Sequence, residues 1–267
     1  MLNYLRLHHK LRIGISMKIF YKLRRLILKN FIPELIWPIG VLIDDVFIKI
    51  RNQPYSFGVK YLLTKMPEKY ELPERLLVKK YISKGANVLE LGASIGILSR
   101  IVSNIIGESG RLISVEADPS LASHLKKTVA KIPNIEVVNA YAFPLMHSVN
   151  LQCSFKDDNG SLGGIVSFEQ AKNDLKYTQK SCFFIEDSIN LNNFHPDVLI
   201  MDIEGSELIM LDHVPNFPLS LQQIIAEFHP SIYGAKLEQD LVDILFQEGF
   251  ECVDKIKDSY YFERISV

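Results

Sequence analysis

Cysteine is scarce in this 267-residue chain, which carries only Cys153, Cys182 and Cys252. They are widely spaced, with no CxxC pair and no Cys/His cluster, so neither a disulfide framework nor a thiolate metal site is expected, and a reducing compartment fits best. Long apolar runs are also missing. The best candidate, Leu35 to Ile43, is broken by Pro38 and bounded by Glu34 and Asp44, well short of the roughly 20 residues a bilayer requires. Charges interrupt every apolar stretch near the start, which argues against a secretory signal. Repeats and low-complexity tracts are absent.

Acidic residues are missing from the first 33 positions, which hold eight Lys/Arg. The remainder holds 22 basic and 31 acidic residues, a net charge of −9. A mildly acidic body argues against a nucleic-acid groove, because phosphate binding depends on clustered Lys and Arg. No nucleic-acid partner is therefore expected.

What is present is a well-cored composition, 48% hydrophobic and 23% charged, sufficient for one large α/β domain and an extension. From Met17 to Asn30, Ile19, Phe20, Leu23, Leu26 and Ile27 recur at helical spacing. Lys18, Lys22, Arg25 and Lys29 take the other side. This predicts a basic amphipathic helix in an extension over 1–60. Its apolar face suits the anionic inner surface of a membrane, with residues 17–43 as the peripheral contact, or packing within the chain or in a homo-oligomer. A mitochondrial presequence is a further reading of the acid-free stretch, weakened by its shortage of Ser. The expected location is cytoplasmic, with or without that membrane contact.

Residues 61–267 read as a second domain. After a helix-like segment, Glu74 to Ser83, come strand Asn87–Leu91, helix Ile95–Ile106, strand Leu112–Glu116, helix Ser120–Lys131 and strand Glu136–Val138. This alternation predicts a parallel sheet with right-handed crossovers. Segments Asn150–Phe155 and Ser181–Glu186 alternate like strands, and 156–180 between them reads as a long loop or lid. Strand Asp197–Met201, helix Ser206–His213, strand Gln223–Phe228, helix Leu237–Glu248 and a terminal hairpin, Glu251–Ile256 with Tyr260–Arg264, complete the pattern. The expected class is α/β, a Rossmann-like sheet, mostly parallel with a C-terminal antiparallel hairpin.

The loop after the first of these strands lacks the Gly-x-Gly-x-x-Gly of dinucleotide sites. It reads Glu90-Leu91-Gly92-Ala93-Ser94-Ile95-Gly96. Glycines there let backbone amides approach a ligand at the carboxyl edge of the sheet. A carboxylate two residues before Gly92 repels a pyrophosphate but favours the ammonium and sulfonium charges of S-adenosylmethionine. Glu116, ending the next strand before Ala117, is placed to accept bonds from two ribose hydroxyls. Each residue alone also has a structural reading, glycines for helix packing and Glu116 as an exposed strand-end acid. A nicotinamide-dependent oxidoreductase and a non-catalytic membrane-associated scaffold are the alternatives.

Two later strands end in Asp202-Ile203-Glu204-Gly205-Ser206-Glu207 and Glu227-Phe228-His229. Residues two apart share a face of an extended chain, so Asp202 pairs with Glu204 and Glu227 with His229. If the strands are neighbours, these four groups converge. They can supply a general base for an acceptor hydroxyl, with Asp202, Glu204 and His229 the catalytic candidates, or all four can hold a hard divalent metal. Structural roles compete: Asp202 or Glu204 as a helix cap, Glu207 as a complement to the helix dipole, and His229 as a strand-terminating group.

Val88 to Gly96 and Ile200 to Glu207, with its Asp-x-Glu-Gly-x-Glu pattern, resemble the FkbM-type methyltransferase family. Ile225-Ala226-Glu227-Phe228-His229 is similar to its Glu-x-His strand, and Glu186-Asp187 to an acidic pair after its central hairpin. The resemblance covers about residues 85 to 230. Ser94 stands where the family often has Asn, and Ala117 where it usually has Pro. It implies a Rossmann-like fold and S-adenosylmethionine-dependent methyl transfer, commonly to hydroxyls of sugars, glycans, glycolipids or natural products. In that frame Glu90, Gly92, Ala93, Ser94 and Gly96 hold the methionyl portion, Glu116 and Ala117 the ribose, and Asn139, Ala140 and Tyr141 border the adenine.

Overall fold

Val88, Leu89, Glu90 and Leu91 are buried without alternation, the pattern of a strand covered on both faces. They form β3 (Asn87–Leu91), an interior strand of a seven-stranded sheet. The structure is a computed structural model that describes residues 37–53, 55–143, 154–156, 165–166, 177–179, 182–184, 193–207, 211 and 217–265. The predicted amphipathic helix over 17–30 and the pair Glu186-Asp187 lie outside the described residues. The chain divides into two compact units, Met1–Tyr70 and Glu71–Val267.

In the first unit, the part of the extension that follows the expected helix forms a hairpin, β1 (Gly40–Ile43) with β2 (Val46–Lys49). Asp44 and Asp45 both take positive φ, 46° and 66°, as a two-residue hairpin turn requires. Ile43, Val46 and Ile48 are buried, while the directly paired Leu42 and Phe47 are exposed. Helix α1 (Phe57–Lys65) follows, started by Ser56, whose hydroxyl accepts from Val59 N.

The second unit opens with α2 (Leu72–Tyr81). The expected alternation then holds: β3, α3 (Ile97–Ile106), β4 (Arg111–Glu116), α4 (Pro119–Val129) and β5 (Ile135–Asn139). Helix α3 begins two residues later than predicted because Gly96 is left-handed, φ 78°. Asp118 caps α4, accepting from Ser120 N and Leu121 N. A short β6 (Tyr141–Phe143) pairs in parallel with β10 (Cys182–Phe184). The stretch expected to be a loop, 156–180, contains strands. In it, β8 (Ile165–Val166) and β9 (Tyr177–Gln179) pair antiparallel on either side of β7 (Ser154–Lys156). Its Asn-Gly and Gly-Gly turn signals read equally as loop or hairpin turn, and the pairing partners are too distant in sequence to be read.

Order resumes with β11 (Val198–Met201), β12 (Gln223–Glu227), α5 (Pro230–Tyr233), α6 (Ala235–Gln247), β13 (Phe250–Ile256) and β14 (Ser259–Arg264). The sheet runs β13-β14-β12-β11-β3-β4-β5. All neighbours from β12 to β5 are parallel, and β14 is antiparallel to both β12 and β13, as the mostly parallel sheet with a terminal hairpin predicted. Its core combines Leu89, Leu91, Leu199, Met201 and Ile224 of the sheet with Leu241 and Leu245 of α6. From β3 the chain winds outward first through β4 and β5, then through β11 and β12 on the other side. This reversal leaves a crevice at the carboxyl ends of β3 and β11, where open α/β sheets bind ligands.

Candidate active site

Gly92 and Asp202 meet at that crevice. Asp202 N donates to Leu91 O at 3.0 Å, and a Cβ on Gly92 would stand 1.7 Å from Asp202 O. Only glycine fits, and its φ of 90° is also one that L side chains rarely adopt. At Gly96 a Cβ would lie 2.1 Å from Leu125 Cδ1, a side-chain end that can shift, so its φ of 78° is the stronger demand for glycine there. Gly92, Ser94 and Gly96 all have positive φ, so the loop turns tightly between strand and helix. Gly92 N and Ala93 N both donate to Val115 O, at 2.9 and 3.0 Å, which ties the loop to β4.

The same strand closes with Glu116, 7% exposed. Its Oε2 accepts from Ser94 N and its Oε1 from Asp118 N, each at 2.7 Å. Glu116 thus clamps the loop to the start of α4, and each oxygen retains a lone pair for a ligand hydroxyl. Burial pushes its carboxyl above the ordinary value, against the pull of those amide bonds. Asn139 serves the same corner. Its Nδ2 donates to Glu116 O and Ala117 O at 2.8 and 3.2 Å, while Ala140 is buried and Tyr141 starts β6.

Glu90 is 2% exposed and its Oε2 accepts from Ser99 Oγ and Ser114 Oγ, both at 2.6 Å. Burial raises its carboxyl despite the two hydroxyls. It lines a cleft together with Gly92, Ala93, Asp202, Glu71 and Glu74. The last two come from the start of α2 and went unrecognised in the sequence, since nothing local to residues 71–74 signals a site. Glu74 is buried and accepts from Ser259 Oγ.

Strands β11 and β12 are neighbours, so the acidic motifs converge. His229 Nε2 stands 3.6 Å from Asp202 Oδ1 and 3.7 Å from Glu204 Oε2, and its Nδ1 is 3.2 Å from Glu207 Oε1. Glu204 is exposed and left-handed, φ 53°, ahead of Gly205 at 97°. Glu207, which the sequence marks only as a helix-dipole complement, is wholly buried, and its Oε1 accepts from Ile203 N at 3.1 Å.

Charge in this cluster is strongly coupled. Burial, with the charges of Glu227 and Glu204, raises Asp202 well above its ordinary value. Burial and the neighbouring Glu74 push Glu227 up to about 7. For His229, burial works downward, but contact with Glu207 and the charges of Glu207, Asp202 and Glu227 outweigh it and raise the imidazole to about 9. The arrangement can accept a proton, orient a hydroxyl or attract a cation; a phosphate would be repelled.

Residues 90–252 match the Methyltransferase FkbM domain. The chain belongs to the FkbM methyltransferase family. The match runs from Glu90 in β3 to Cys252 in β13, and so includes both the glycine loop and the acidic cluster. Among curated proteins, this family member is 41% identical over 59 residues to a protein-L-isoaspartate O-methyltransferase of Methanococcus maripaludis, covering 21% of this chain and 28% of that protein. It is 28% identical over 129 residues to a probable cobalt-precorrin-6B C(15)-methyltransferase of Sulfolobus acidocaldarius, covering 48% and 59%. The chain therefore spans less than two thirds of either relative. Similar solved structures include Aeropyrum pernix fibrillarin with bound S-adenosyl-L-methionine, at 16% identity, TM-score 0.45 and coverage of 72% and 73%. An Aquifex aeolicus SAM-dependent methyltransferase is similar at 13% identity, TM-score 0.44 and coverage of 79% and 100%.

Proposed function

We propose that this FkbM-family protein is an S-adenosylmethionine-dependent methyltransferase that methylates a hydroxyl of a neutral sugar, glycan, glycolipid or natural product. Membership in a methyltransferase family favours this over a nicotinamide-dependent oxidoreductase. The observation that carries the acceptor class is the ring of carboxylates around His229, Asp202, Glu204, Glu207 and Glu227, beside the glycine loop. Carboxylates bind polyol hydroxyls well and disfavour phosphate or nucleic acid.

The site fits the cofactor: Glu116 presents a buried two-oxygen acceptor at the strand end next to the glycine loop, and Glu90 lines the cleft beside Gly92 and Ala93. S-adenosylmethionine supplies an electrophilic methyl on a sulfonium, the hard part of the chemistry. Glu90 biases the methionyl end of the cleft toward positive charge, Gly92 to Gly96 lets the backbone approach, Glu116 with Ala117 takes the ribose hydroxyls, and the turn at Asn139, Ala140 and Tyr141 borders the adenine. Asp202, Glu204 and His229 align the acceptor oxygen; the carboxylates take its proton, and His229, raised to about 9, balances their charge.

Calorimetry with S-adenosylmethionine and with NAD tests the cofactor, and His229→Ala tests the division of labour. We expect S-adenosylmethionine binding without NAD binding. In the variant we expect binding retained within about threefold and methyl transfer lowered by at least about 100-fold, the scale of a lost acid–base group. NAD binding alone, or transfer unchanged in the variant, overturns the reading.

A further inference from the structure

Three atoms stand apart in the acidic cluster. Asp202 Oδ1, Glu207 Oε2 and His229 Nδ1 are buried and have no hydrogen-bond partner. One donor atom from each of these residues can be chosen such that all lie within 4.8 Å of one another. Glu207 is the telling member. Its side chain is 0% exposed, and leaving a carboxylate oxygen buried and unpaired is costly unless positive charge lies beside it. His229, raised to about 9, brings its Nδ1 to 3.2 Å from Glu207 Oε1 and so supplies positive charge to that oxygen, while Glu207 Oε2 has no hydrogen-bond partner.

From these atoms we infer that Asp202, Glu207 and His229 bind one divalent cation. The inference rests on the methyltransferase reading only for its consequence, since the fold itself brings one donor atom of each residue together. Two carboxylates and one imidazole suit Mn2+ or Zn2+ better than Ca2+, which takes oxygen ligands. Strand β11 supplies Asp202 at its carboxyl end, the turn that follows supplies Glu207, and β12 brings His229 from the neighbouring strand. Glu204, exposed and 3.7 Å from His229 Nε2, stands at the solvent side, where it and Glu227 remain as carboxylates for the acceptor's proton. A cation here would draw an acceptor hydroxyl toward the glycine loop and lower its pKa. The fold thus provides a metal-dependent way of recognising the oxygen to be methylated.

The test is Mn2+ titration of the full chain after chelator treatment, followed by calorimetry and electron paramagnetic resonance. We expect one Mn2+ per chain, and at least a 30-fold loss of affinity in Asp202→Asn and in Glu207→Gln, with near-ultraviolet circular dichroism reporting whether each variant is folded. Asp202 is only partly buried, so its variant keeps the test open if Glu207→Gln fails to fold. Binding of neither Mn2+ nor Zn2+ by the wild-type chain, or unchanged Mn2+ affinity in folded Asp202→Asn, overturns the inference. S-adenosylmethionine binding is measured on the same chelated sample. If it binds and methyl transfer proceeds at full rate without metal, the cation's part in recognising the acceptor falls alone; if it does not bind with or without metal, the methyltransferase reading falls separately.

Discussion

Glu90 and Glu116 are both buried carboxylates on adjacent strands, yet their partners assign them different work. Glu90 is satisfied by two serine hydroxyls, which a glutamine oxygen can also accept. Its carboxyl is raised by burial, so the ionised form costs folding free energy as pH rises above the ordinary Glu value of about 4.3. Glu90→Gln should therefore match or exceed the wild type in melting temperature above that pH, while binding S-adenosylmethionine more weakly. Unchanged affinity would remove Glu90 from the cofactor site. Glu116→Gln differs, because one of its two backbone donors would face an amide NH2 group. We expect a stability loss of about 1–3 kcal/mol and an affinity loss of at least about 10-fold, read by melting and calorimetry respectively. Both acids stood out in the sequence as candidate cofactor residues. Their partners were not, because Ser99, Ser114 and the amide of Ser94 are brought to them by strand register and helix packing.

At the scale of elements, the strand-loop-helix from β3 to α3 depends on a close approach to β11. Gly92→Ala places a methyl group into Asp202 O at an unfavourable φ, so we expect a loss of several kcal/mol, on the order of 3 or more, measured by chemical denaturation. A variant as stable as the wild type would refute the described packing. Helix α2 is tied to the terminal hairpin by Lys80 Nζ and Tyr81 Oη, which both donate to Asp254 Oδ2, at 2.8 and 2.9 Å. Those two donors hold the Asp254 carboxyl below its ordinary range. The stabilisation is present above the unfolded Asp value and fades as pH falls through the lower folded one. Asp254→Asn should flatten that acid limb in thermal melts at graded pH; an unchanged limb would count against the clamp. Element types in the second unit were legible from alternating runs and Gly/Pro punctuation. The β7–β9 sheet and the β1–β2 hairpin were not. Their strands are two to four residues long, too short to show periodicity and dependent on partners for their existence.

Over the whole molecule, charge separates an acid-free first 33 residues from a body of net charge −9. Among the described residues no helix is long and apolar enough to cross a membrane. The basic segment predicts salt-sensitive sedimentation of the full chain with anionic vesicles and little with neutral ones; equal partition onto both would refute an electrostatic contact. The convergence of Asp202, Glu204, Glu207, Glu227 and His229 was half legible. Spacing placed each motif at a strand end, but adjacency of β11 and β12, and the depth of Glu207, belong to the tertiary structure. The most direct test of the central claim is transfer of a labelled methyl group from S-adenosylmethionine, offered in parallel to fractionated glycans, lipids, small metabolites, protein and RNA. The expected result is alkali-stable label, an ether, on a neutral hydroxyl-bearing fraction. Label confined to RNA, or released by mild alkali from protein carboxyl groups, would contradict it.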